Sequence, residues 1–455
     1  AERTQRKDRQ LKAVPYNRQV IIRSVIMFSF KKAAAGVLSC TMPLGSLVIS
    51  GCSDSNTSGT QSADNTSNSS STAHQGEIKD ISSVELVKDM KIGWSLGNTL
   101  DAGNESNRGQ DPGAIEKSWG NPDTTKEMID EIKKAGFNVL RVPTTWDWST
   151  GEAPEYKISD EWFARVKEIV DYGMENDMYV ILNIHHETWH YPTEDNYEAA
   201  SDRLKKVWTQ IGNYFKDYDE HLIFEGLNEP RVIGTSEEWN GGSDATREVV
   251  NKLDADFVST IRSLDGNNKL RHLMIPGYAA SSSEVALKAL KIPENDDKLI
   301  VSVHAYTPYN FALADSKRSN KWVACKEGFT NDIDYLADML KTLFIDKGQA
   351  VIIGEFGARS KDNEKYRAEW AKYYVTKMKT VGVPCVWWDN GAFLGSGELF
   401  GLFDRRNLEW RYPLVKDALI SASNGEYTVD GLKSDTAILD ELKKDIAQSK
   451  NSSAE

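Results

Sequence analysis

Cysteine is scarce in this chain: the 455 residues contain four, at positions 40, 52, 325 and 385. No Cys-x-x-Cys pair and no cluster of Cys with His occurs, which argues against a structural zinc site. Cys325 and Cys385 fall in the body of the chain, and their spacing leaves open whether they pair. Hydrophobic residues make up 40% of the sequence, which is enough to build a globular core without a disulfide framework.

Basic residues are also scarce relative to acidic residues. The net charge is −13 and the isoelectric point is near 5.2. An acidic surface repels phosphate backbones, so nucleic acid is excluded as the expected partner. Thirteen tryptophans are present, and their flat rings suit stacking on sugars, although composition alone equally allows them to fill a core.

A long hydrophobic run is missing as well. The apolar stretch 33–49 is Gly/Ser-rich and shorter than the ~20 residues that span a bilayer. It leads into Leu47-Val-Ile-Ser-Gly51-Cys52, where small residues before a cysteine are typical of a bacterial lipoprotein signal. We therefore predict an N-terminal extension and lipoprotein signal peptide over 1–52, with Cys52 lipidated. A plain secretory signal is the alternative, and Met27 is a possible true start, so whether residues 1–26 are native stays open.

Residues 53–76 are rich in Ser, Asn and Thr and show no apolar periodicity, which predicts a disordered linker. Together with the signal, this linker predicts an extracytoplasmic protein that is held at the cell surface by the lipid or secreted. Membrane contact is expected through the lipid anchor alone, and we expect a monomer.

The rest of the chain alternates between short apolar runs and segments with helical spacing. Eight runs have the continuous apolar character of buried parallel strands: 91–96, 137–142, 179–184, 222–227, 271–275, 299–303, 351–354 and 384–387. Segments with helical periodicity fall between most of them: 125–135, 160–174, 204–214, 253–264, 331–343 and 366–378.

This order of strands and helices predicts an α/β fold, a (β/α)8 TIM barrel, forming a single catalytic domain over 77–422. A doubly wound open sheet is the alternative, and the absence of Gly-x-Gly-x-x-Gly after a strand disfavours it. Residues 423–455 are predicted to be a C-terminal tail with one helix, 436–446.

Chemically active side chains gather where the predicted strands end, which is the face at which barrel active sites lie. These ends supply two glutamates, an arginine, imidazoles, a phenol, amides and tryptophan: Asn98, Arg141, His185, His186, Asn228, Glu229, His304, Tyr306, Glu355 and Trp388. Because side chains alternate along a strand, we expect four sets of residues to share a face of their strand. The sets are Val139 with Arg141, Ser302 with His304 and Tyr306, Glu225 with Leu227 and Glu229, and Val351 with Ile353 and Glu355.

Two further positions near these strand ends have a structural interpretation. Glu225 lies within a strand, which indicates a buried and hydrogen-bonded structural carboxylate. His185 and His186 are adjacent in a strand and should face opposite ways, so we expect no metal there and no cofactor.

The ordered motifs resemble glycoside hydrolase family 5, cellulase family A, and within it the subfamily 4 endoglucanases. They span almost the whole predicted barrel: Gly93-Trp-Ser-Leu-Gly-Asn98-Thr-Leu-Asp-Ala102, Trp119-Gly-Asn-Pro122, Arg141-Val-Pro143, Asn183-Ile-His185-His186, Asn228-Glu229-Pro230, His304-Ala-Tyr306, Gly354-Glu355-Phe-Gly357 and Trp387-Trp388-Asp-Asn390. The resemblance implies that Glu229 is the acid/base and Glu355 the nucleophile of a retaining reaction on a β-glucan polysaccharide.

Such a reaction needs two carboxyl groups about 5–5.5 Å apart. We expect burial and the second carboxylate to raise the pKa of Glu229. Arg141 and Tyr306 are expected to support Glu355. His304 is expected to orient Glu229. Trp119, Trp146, Trp189 and Trp239 are candidate platforms for sugar stacking, with a core position as the alternative. The expected activity is an endo-β-1,4-glucanase. A xyloglucanase, mixed-linkage glucanase, xylanase or mannanase, and a catalytically inactive carbohydrate-binding lipoprotein, stay open.

Overall fold

The computed structural model describes residues 74–316, 319–440 and 443–444. Eight parallel strands close into a barrel in the order in which they follow one another in the chain. The strands are β1 (Ile92–Leu96), β2 (Val139–Val142), β3 (Tyr179–Asn183), β4 (Leu222–Glu225), β5 (Leu273–Ser281), β6 (Leu299–His304), β7 (Ala350–Phe356) and β8 (Cys385–Asp389). Each predicted apolar run is therefore a strand, and the (β/α)8 barrel is confirmed. The signal segment, Cys52 and most of the predicted linker lie outside the described residues.

Helices surround the barrel and fill its longer connections. They are α1 (Ser83–Leu86), α2 (Pro112–Glu116), α3 (Lys126–Ala135), α4 (Asp160–Glu175), α5 (Tyr197–Tyr214), α6 (Asp244–Ser263), α7 (Glu284–Ala289), α8 (Tyr309–Ala312), α9 (Asn331–Leu343), α10 (Glu364–Thr380), α11 (Pro413–Asn424) and α12 (Val429–Ser434). A two-stranded hairpin, β9 (Phe403–Asp404) and β10 (Glu409–Trp410), follows β8. The tail helix expected over 436–446 lies partly outside the described residues.

Helix α4 illustrates how the sequence specifies these elements. Ser159 accepts a hydrogen bond from the backbone N–H of Trp162 and so caps the helix start, and Asp160 adds negative charge there. The buried residues recur at helical spacing and pack this face on the barrel: Trp162, Phe163, Val166, Ile169, Val170, Gly173 and Met174. No helix in the described part of the chain combines the length and apolar character needed to cross a membrane.

Strand side chains divide into two buried groups. One group fills the barrel itself and includes Val139, Ile223, Ile300 and Ile352, with Met90 after helix α1 closing its N-terminal end. The other group packs between the strands and the helices, as parallel strands covered on both faces require. Cys325 and Cys385 are both free thiols, so the question that the sequence left open is answered: they do not pair.

The predicted sharing of faces is wrong in two strands. Val351 and Ile353 belong to the group that packs against the helices, whereas Glu355 faces the site, because a register irregularity interrupts β7 between Ile353 and Phe356. Leu227 also packs outward, because β4 ends at Glu225 and strict alternation ends with it. The pairing of Val139 with Arg141 on the inner side agrees with the prediction.

Candidate active site

The two predicted catalytic glutamates converge at the C-terminal end of the barrel. Glu229 follows β4 and Glu355 lies in β7, and one oxygen of each lies within 4.8 Å of the other and of a His304 ring nitrogen. His304, at the end of β6, has its Nδ1 2.8 Å from Oε1 of Glu229 and 3.6 Å from Oε2 of Glu355. The two carboxyl groups therefore flank a space that suits a single glycosidic bond.

Arg141 links the carboxylates at the barrel mouth. It is fully buried and donates hydrogen bonds to Glu355 Oε1 (2.7 Å), Glu225 Oε2 (2.9 Å) and Asn228 Oδ1 (2.8 Å). Burial opposes its charge, but the carboxylates of Glu225 and Glu355 outweigh burial and raise the pKa of Arg141. The guanidinium stays charged and orients Asn228 so that its amide NH2 remains available as a donor.

Tyr306 supplies the second donor to Glu355. Its hydroxyl donates to Oε2 of Glu355 at 2.8 Å, while Arg141 binds the other oxygen. Burial and the nearby charge of Glu355 raise the pKa of Tyr306 well above its usual value, so the phenol keeps its proton. A phenol and a guanidinium therefore hold the two oxygens of Glu355 in one orientation.

The electrostatics of Glu229 differ from the sequence-based expectation. Burial by itself raises its pKa, as predicted, but the hydrogen bond from His304 and the positive charges of His304 and Arg231 outweigh burial and lower it to about 2. The pKa of His304 is raised, because the charge of Glu355 and the contact with Glu229 exceed the effect of burial. The proton of the His304–Glu229 pair thus resides on the imidazole.

Arg231 was not among the predicted site residues. Its Nη1 lies 3.2 Å from Oε2 of Glu229 and donates to the Glu229 backbone carbonyl at 3.0 Å. The indole of Trp239 covers its guanidinium at 4.2 Å. The chain carried one signal for this role, because Arg231 follows Glu229 by only two positions.

Glu225 matches its structural interpretation. It is fully buried and accepts hydrogen bonds from Arg141, from Ser302 Oγ (2.6 Å) and from Asn183 Nδ2 (3.0 Å). Three donors from β2, β6 and β3 therefore meet on one carboxylate. This cluster forms a floor under the two catalytic candidates.

His185, His186 and Trp388 form a wall beside the carboxylates. The rings of His185 and Trp388 stack at 5.7 Å with 4° between their planes, and His186 meets His185 edge-on at 4.4 Å. The expectation that the two histidines face opposite ways is wrong, because β3 ends at Asn183, before either of them. Burial lowers the pKa of His185 well below its usual value, so this ring is neutral, as suits a neutral sugar.

Asp101 is a second residue that the sequence analysis missed, although it lies within a quoted motif. Its Oδ2 is 3.9 Å from Nε2 of His185 and 3.7 Å from Nε2 of His186, and its Oδ1 accepts from the Thr99 N–H at 2.7 Å. Burial outweighs the backbone hydrogen bonds and raises the pKa of Asp101 to about 7. Its Oδ2 lies beside both imidazoles without a hydrogen bond to either ring.

Asn98 and Trp388 are placed by the close approach of β1 and β8. Asn98 adopts a left-handed conformation (φ 56°), and its carbonyl accepts from Asn121 Nδ2 at 2.8 Å. A Cβ on the preceding Gly97 would lie 2.7 Å from the Trp388 ring. Glycine is needed here because the indole packs directly on the backbone.

The four candidate stacking platforms occupy different places. Trp239 and Trp119 are exposed, at 61% and 44%, and Trp119 contacts His186 with ring centres 5.6 Å apart. Trp189 is partly buried, and its Nε1 donates to Glu187. Trp146 is 1% exposed and packs in the core, so its candidacy as a sugar platform is wrong.

Known proteins resemble this chain over the barrel. Residues 102–394 match the family described as cellulase, glycosyl hydrolase family 5. Endoglucanase B of Neocallimastix patriciarum is 50% identical over 349 residues, which are 75% of this chain and 72% of that protein. Endoglucanase A of Ruminococcus albus is 46% identical over 354 residues, covering 76% and 94% of the two chains.

Solved structures agree with the sequence relatives. A GH5-4 broad specificity endoglucanase from Ruminococcus champanellensis with bound cellotriose has a TM-score of 0.72 and 44% identity, covering 75% of this chain and 99% of that one. The GH5-4 enzyme from Clostridium longisporum has a TM-score of 0.74 and 45% identity, covering 77% and 100%. By its fold, its converging carboxylates and these likenesses, the chain belongs to glycoside hydrolase family 5 and, within it, to subfamily 4.

Proposed function

We propose that the chain is a retaining, endo-acting β-1,4-glucan hydrolase that cleaves internal bonds of cellulose-type polysaccharides. The observation that carries the proposal is the convergence of Glu229 and Glu355, with oxygens within 4.8 Å of each other. That separation suits double displacement better than inversion, because an inverting pair stands about 6.5–9.5 Å apart to admit a water molecule.

In the first step, an ionised Glu355 oxygen attacks the anomeric carbon and forms a glycosyl ester. The bond from that carbon to the glycosidic oxygen breaks, and the departing oxygen takes a proton from Glu229. Arg141 and Tyr306 support this assignment, since each donates to one oxygen of Glu355 and so orients the carboxyl group for attack. In the second step Glu229 takes a proton from water, whose oxygen displaces Glu355 and restores the starting anomeric configuration.

The proton for the leaving oxygen comes from the His304–Glu229 pair. The pair holds its proton on the His304 ring, whose Nδ1 lies 2.8 Å from Glu229 Oε1. A sugar that enters the site removes water from Glu229, and loss of solvation favours the neutral carboxylic acid. Transfer of one proton from His304 to Glu229 then provides the general acid without any cofactor.

The bound sugar is held by the groups around the carboxyls. Asn228 directs its NH2 toward the position of the sugar 2-hydroxyl, and His185, His186 and Trp388 form the wall on which the ring rests. Exposed Trp119 and Trp239 lie farther out and extend the surface for neighbouring glucose units. Aromatic faces on two different loops support binding of a long chain and cleavage within it.

Mixed-linkage glucan is the second candidate substrate. A family 5 lichenase from Caldicellulosiruptor sp. F32 is 43% identical to this chain, with a TM-score of 0.72. Xyloglucan, xylan and mannan complete the panel of polymers that discriminates among the alternatives.

The test of the function is product analysis on that panel, combined with viscometry of carboxymethylcellulose. Internal cleavage lowers the viscosity early, well before reducing sugar rises far. If cellobiose or glucose were the sole early product from cellohexaose while viscosity stayed high, endo action would be excluded. If neither polymer nor oligosaccharide were cleaved, the inactive binding-protein alternative would replace the enzyme.

We further propose that Cys52 carries a lipid that holds a monomeric catalytic domain outside the cytoplasm. The small residues that precede Cys52 support this proposal, as does the polar segment that separates it from the barrel. In a bacterial host, Cys52→Ala should release the protein from the membrane fraction without loss of activity. Retention of this variant in the membrane fraction would exclude the anchor.

A further inference from the structure

A group of imidazoles and carboxylates lies at the opposite end of the barrel from the catalytic glutamates. Asp177 precedes β3, whereas Asp219 and His221 precede β4. The segment before the barrel brings His74 to them, because the His74 carbonyl accepts from the Asp219 N–H at 2.9 Å. We propose that His74, Asp177 and His221 bind a divalent transition-metal ion such as Zn²⁺.

The distances among the three ligand atoms suit such an ion. Nε2 of His74 is 3.4 Å and Nε2 of His221 is 3.8 Å from the same Oδ1 of Asp177. A tetrahedral zinc with bonds of about 2.0–2.2 Å places its ligand atoms roughly 3.3–3.5 Å apart. All three atoms lie within 4.8 Å of one another, so a small rotation of the exposed Asp177 side chain brings its oxygen to coordination distance, with solvent as the fourth ligand.

A second carboxylate orients both imidazoles. Asp219 lies 2.8 Å from Nδ1 of His74 and 3.0 Å from Nδ1 of His221, using a different oxygen for each. When Asp219 accepts from both Nδ1–H groups, the two Nε2 atoms are left to face Asp177. A carboxylate behind a coordinating imidazole is the usual support of a metal site.

The ligands are held before any ion arrives. Tyr179 stacks on His221 with ring centres 4.8 Å apart and 19° between the planes. The Asp177 N–H donates to the Met174 carbonyl at 2.9 Å, and its own carbonyl accepts from Lys133 at 2.7 Å. The side chains of His74 and His221 are 18% and 14% exposed, whereas that of Asp177 is 77% exposed. The imidazoles are thus fixed, and the ion has a path from solvent past Asp177.

Metal at this position would join three separate segments: the chain entering the barrel at His74, the turn between α4 and β3, and the loop between α5 and β4. Ions that bind the folded state alone raise the midpoint of thermal unfolding. Because these residues lie at the N-terminal ends of the strands, their metal should leave turnover unchanged. The proposed role is therefore to fasten the entering segment to the barrel, independently of catalysis.

The test uses the untagged full-length chain, stripped of metal, and titrates it with Zn²⁺ near about pH 7.5, where imidazole is mainly neutral. Calorimetry gives the stoichiometry and affinity, and thermal unfolding gives the shift in midpoint. The test variant is Asp177→Asn, because asparagine tolerates the left-handed conformation that Asp177 adopts (φ 52°). The matched control is Asp217→Asn, which removes the same charge from an exposed neighbour that pairs with Lys216.

We expect one zinc equivalent whose affinity falls at least about 10-fold in Asp177→Asn and about 10–100-fold in Asp219→Asn. The control should bind like the unsubstituted chain, and glucanase turnover should be equal in all of them. Asp101, His185 and His186 form another group of possible ligands, near the catalytic carboxylates. Zinc bound there would inhibit the glucanase, and this inhibition should be the same in all of these variants. Absence of zinc binding, unchanged affinity in Asp177→Asn, or equal weakening in Asp217→Asn would each overturn the proposal.

Discussion

Nδ1 of His304 lies 2.8 Å from Oε1 of Glu229, and this contact makes the two side chains one titrating unit. The pKa of Glu229 is lowered to about 2 while that of His304 is raised, so the pair carries one proton between those two values. Coupled groups of this kind show pKa values that belong to the pair. The pH range of activity is therefore set jointly by the two residues.

The first prediction concerns this pair. In His304→Gln the proton can reside on Glu229 alone, and a carboxyl group releases it at lower pH than an imidazolium. The basic limb of the pH profile of kcat/KM should therefore shift to lower pH by about one pH unit or more. A profile that kept its position while activity merely fell would show that His304 acts by positioning without holding the proton.

The second prediction separates the roles of the two glutamates. Glu229→Ala should lower kcat about 10²–10⁴-fold on the polymer, whose leaving oxygen needs protonation. An aryl cellobioside with an acidic phenol needs little help to depart, so its first step should be largely preserved. Glu355→Ala should abolish turnover of both substrates, because no glycosyl ester can form. Equal losses on both substrates in Glu229→Ala would contradict the assignment.

The third prediction concerns Trp239, which is 61% exposed and covers Arg231. Trp239→Ala should reduce kcat/KM on carboxymethylcellulose about 3–10-fold, as expected for loss of about 0.7–1.4 kcal/mol of stacking. A small aryl cellobioside should be affected less, because remote contacts with a long chain contribute to the transition state. Trp239→Phe is the control that retains an aromatic face on Arg231. A uniform loss on both substrates would assign Trp239 to positioning Arg231 instead of binding glucan.

The fourth prediction follows from Asp101, whose pKa is raised to about 7 by burial. An unfolded aspartate titrates near about 4, so between roughly pH 4 and 7 the folded state binds more protons than the unfolded state. Asp101 therefore favours the folded state at acid pH, and that contribution is lost at about 1.4 kcal/mol per pH unit as the pH rises.

Asp101→Asn removes this slope, so the free energy of unfolding of the variant should decline less between pH 4 and 7 than that of the unsubstituted chain. Denaturant unfolding at several pH values measures it. Asp195→Asn, at an exposed site, is the control and should retain the original slope. An unchanged slope in Asp101→Asn would show that this carboxyl group is ionised across that range.

The sequence determined the barrel and the main chemical groups. Continuous apolar runs and helical periodicity are local properties, so each strand from β1 to β8 could be located from neighbours along the chain. The polar groups at strand ends were equally local, because a parallel barrel must bring those ends to one face. Glu229, Glu355, Arg141, His304 and Tyr306 could therefore be predicted to lie together at one end of the barrel.

The tertiary structure decided how those groups act on one another. Glu355 reaches Arg141 because of a register irregularity in β7, which alternation along a regular strand does not reveal. The proton on His304 depends on the charges of Glu355, Glu229 and Arg141, and Arg231 joins the site through its contact with Glu229. His74 and His221 are 147 positions apart in the chain, yet one carboxylate orients both rings. Such contacts depend on distances between segments remote in sequence, and pKa values follow those distances because Coulomb interactions and burial are properties of the folded state.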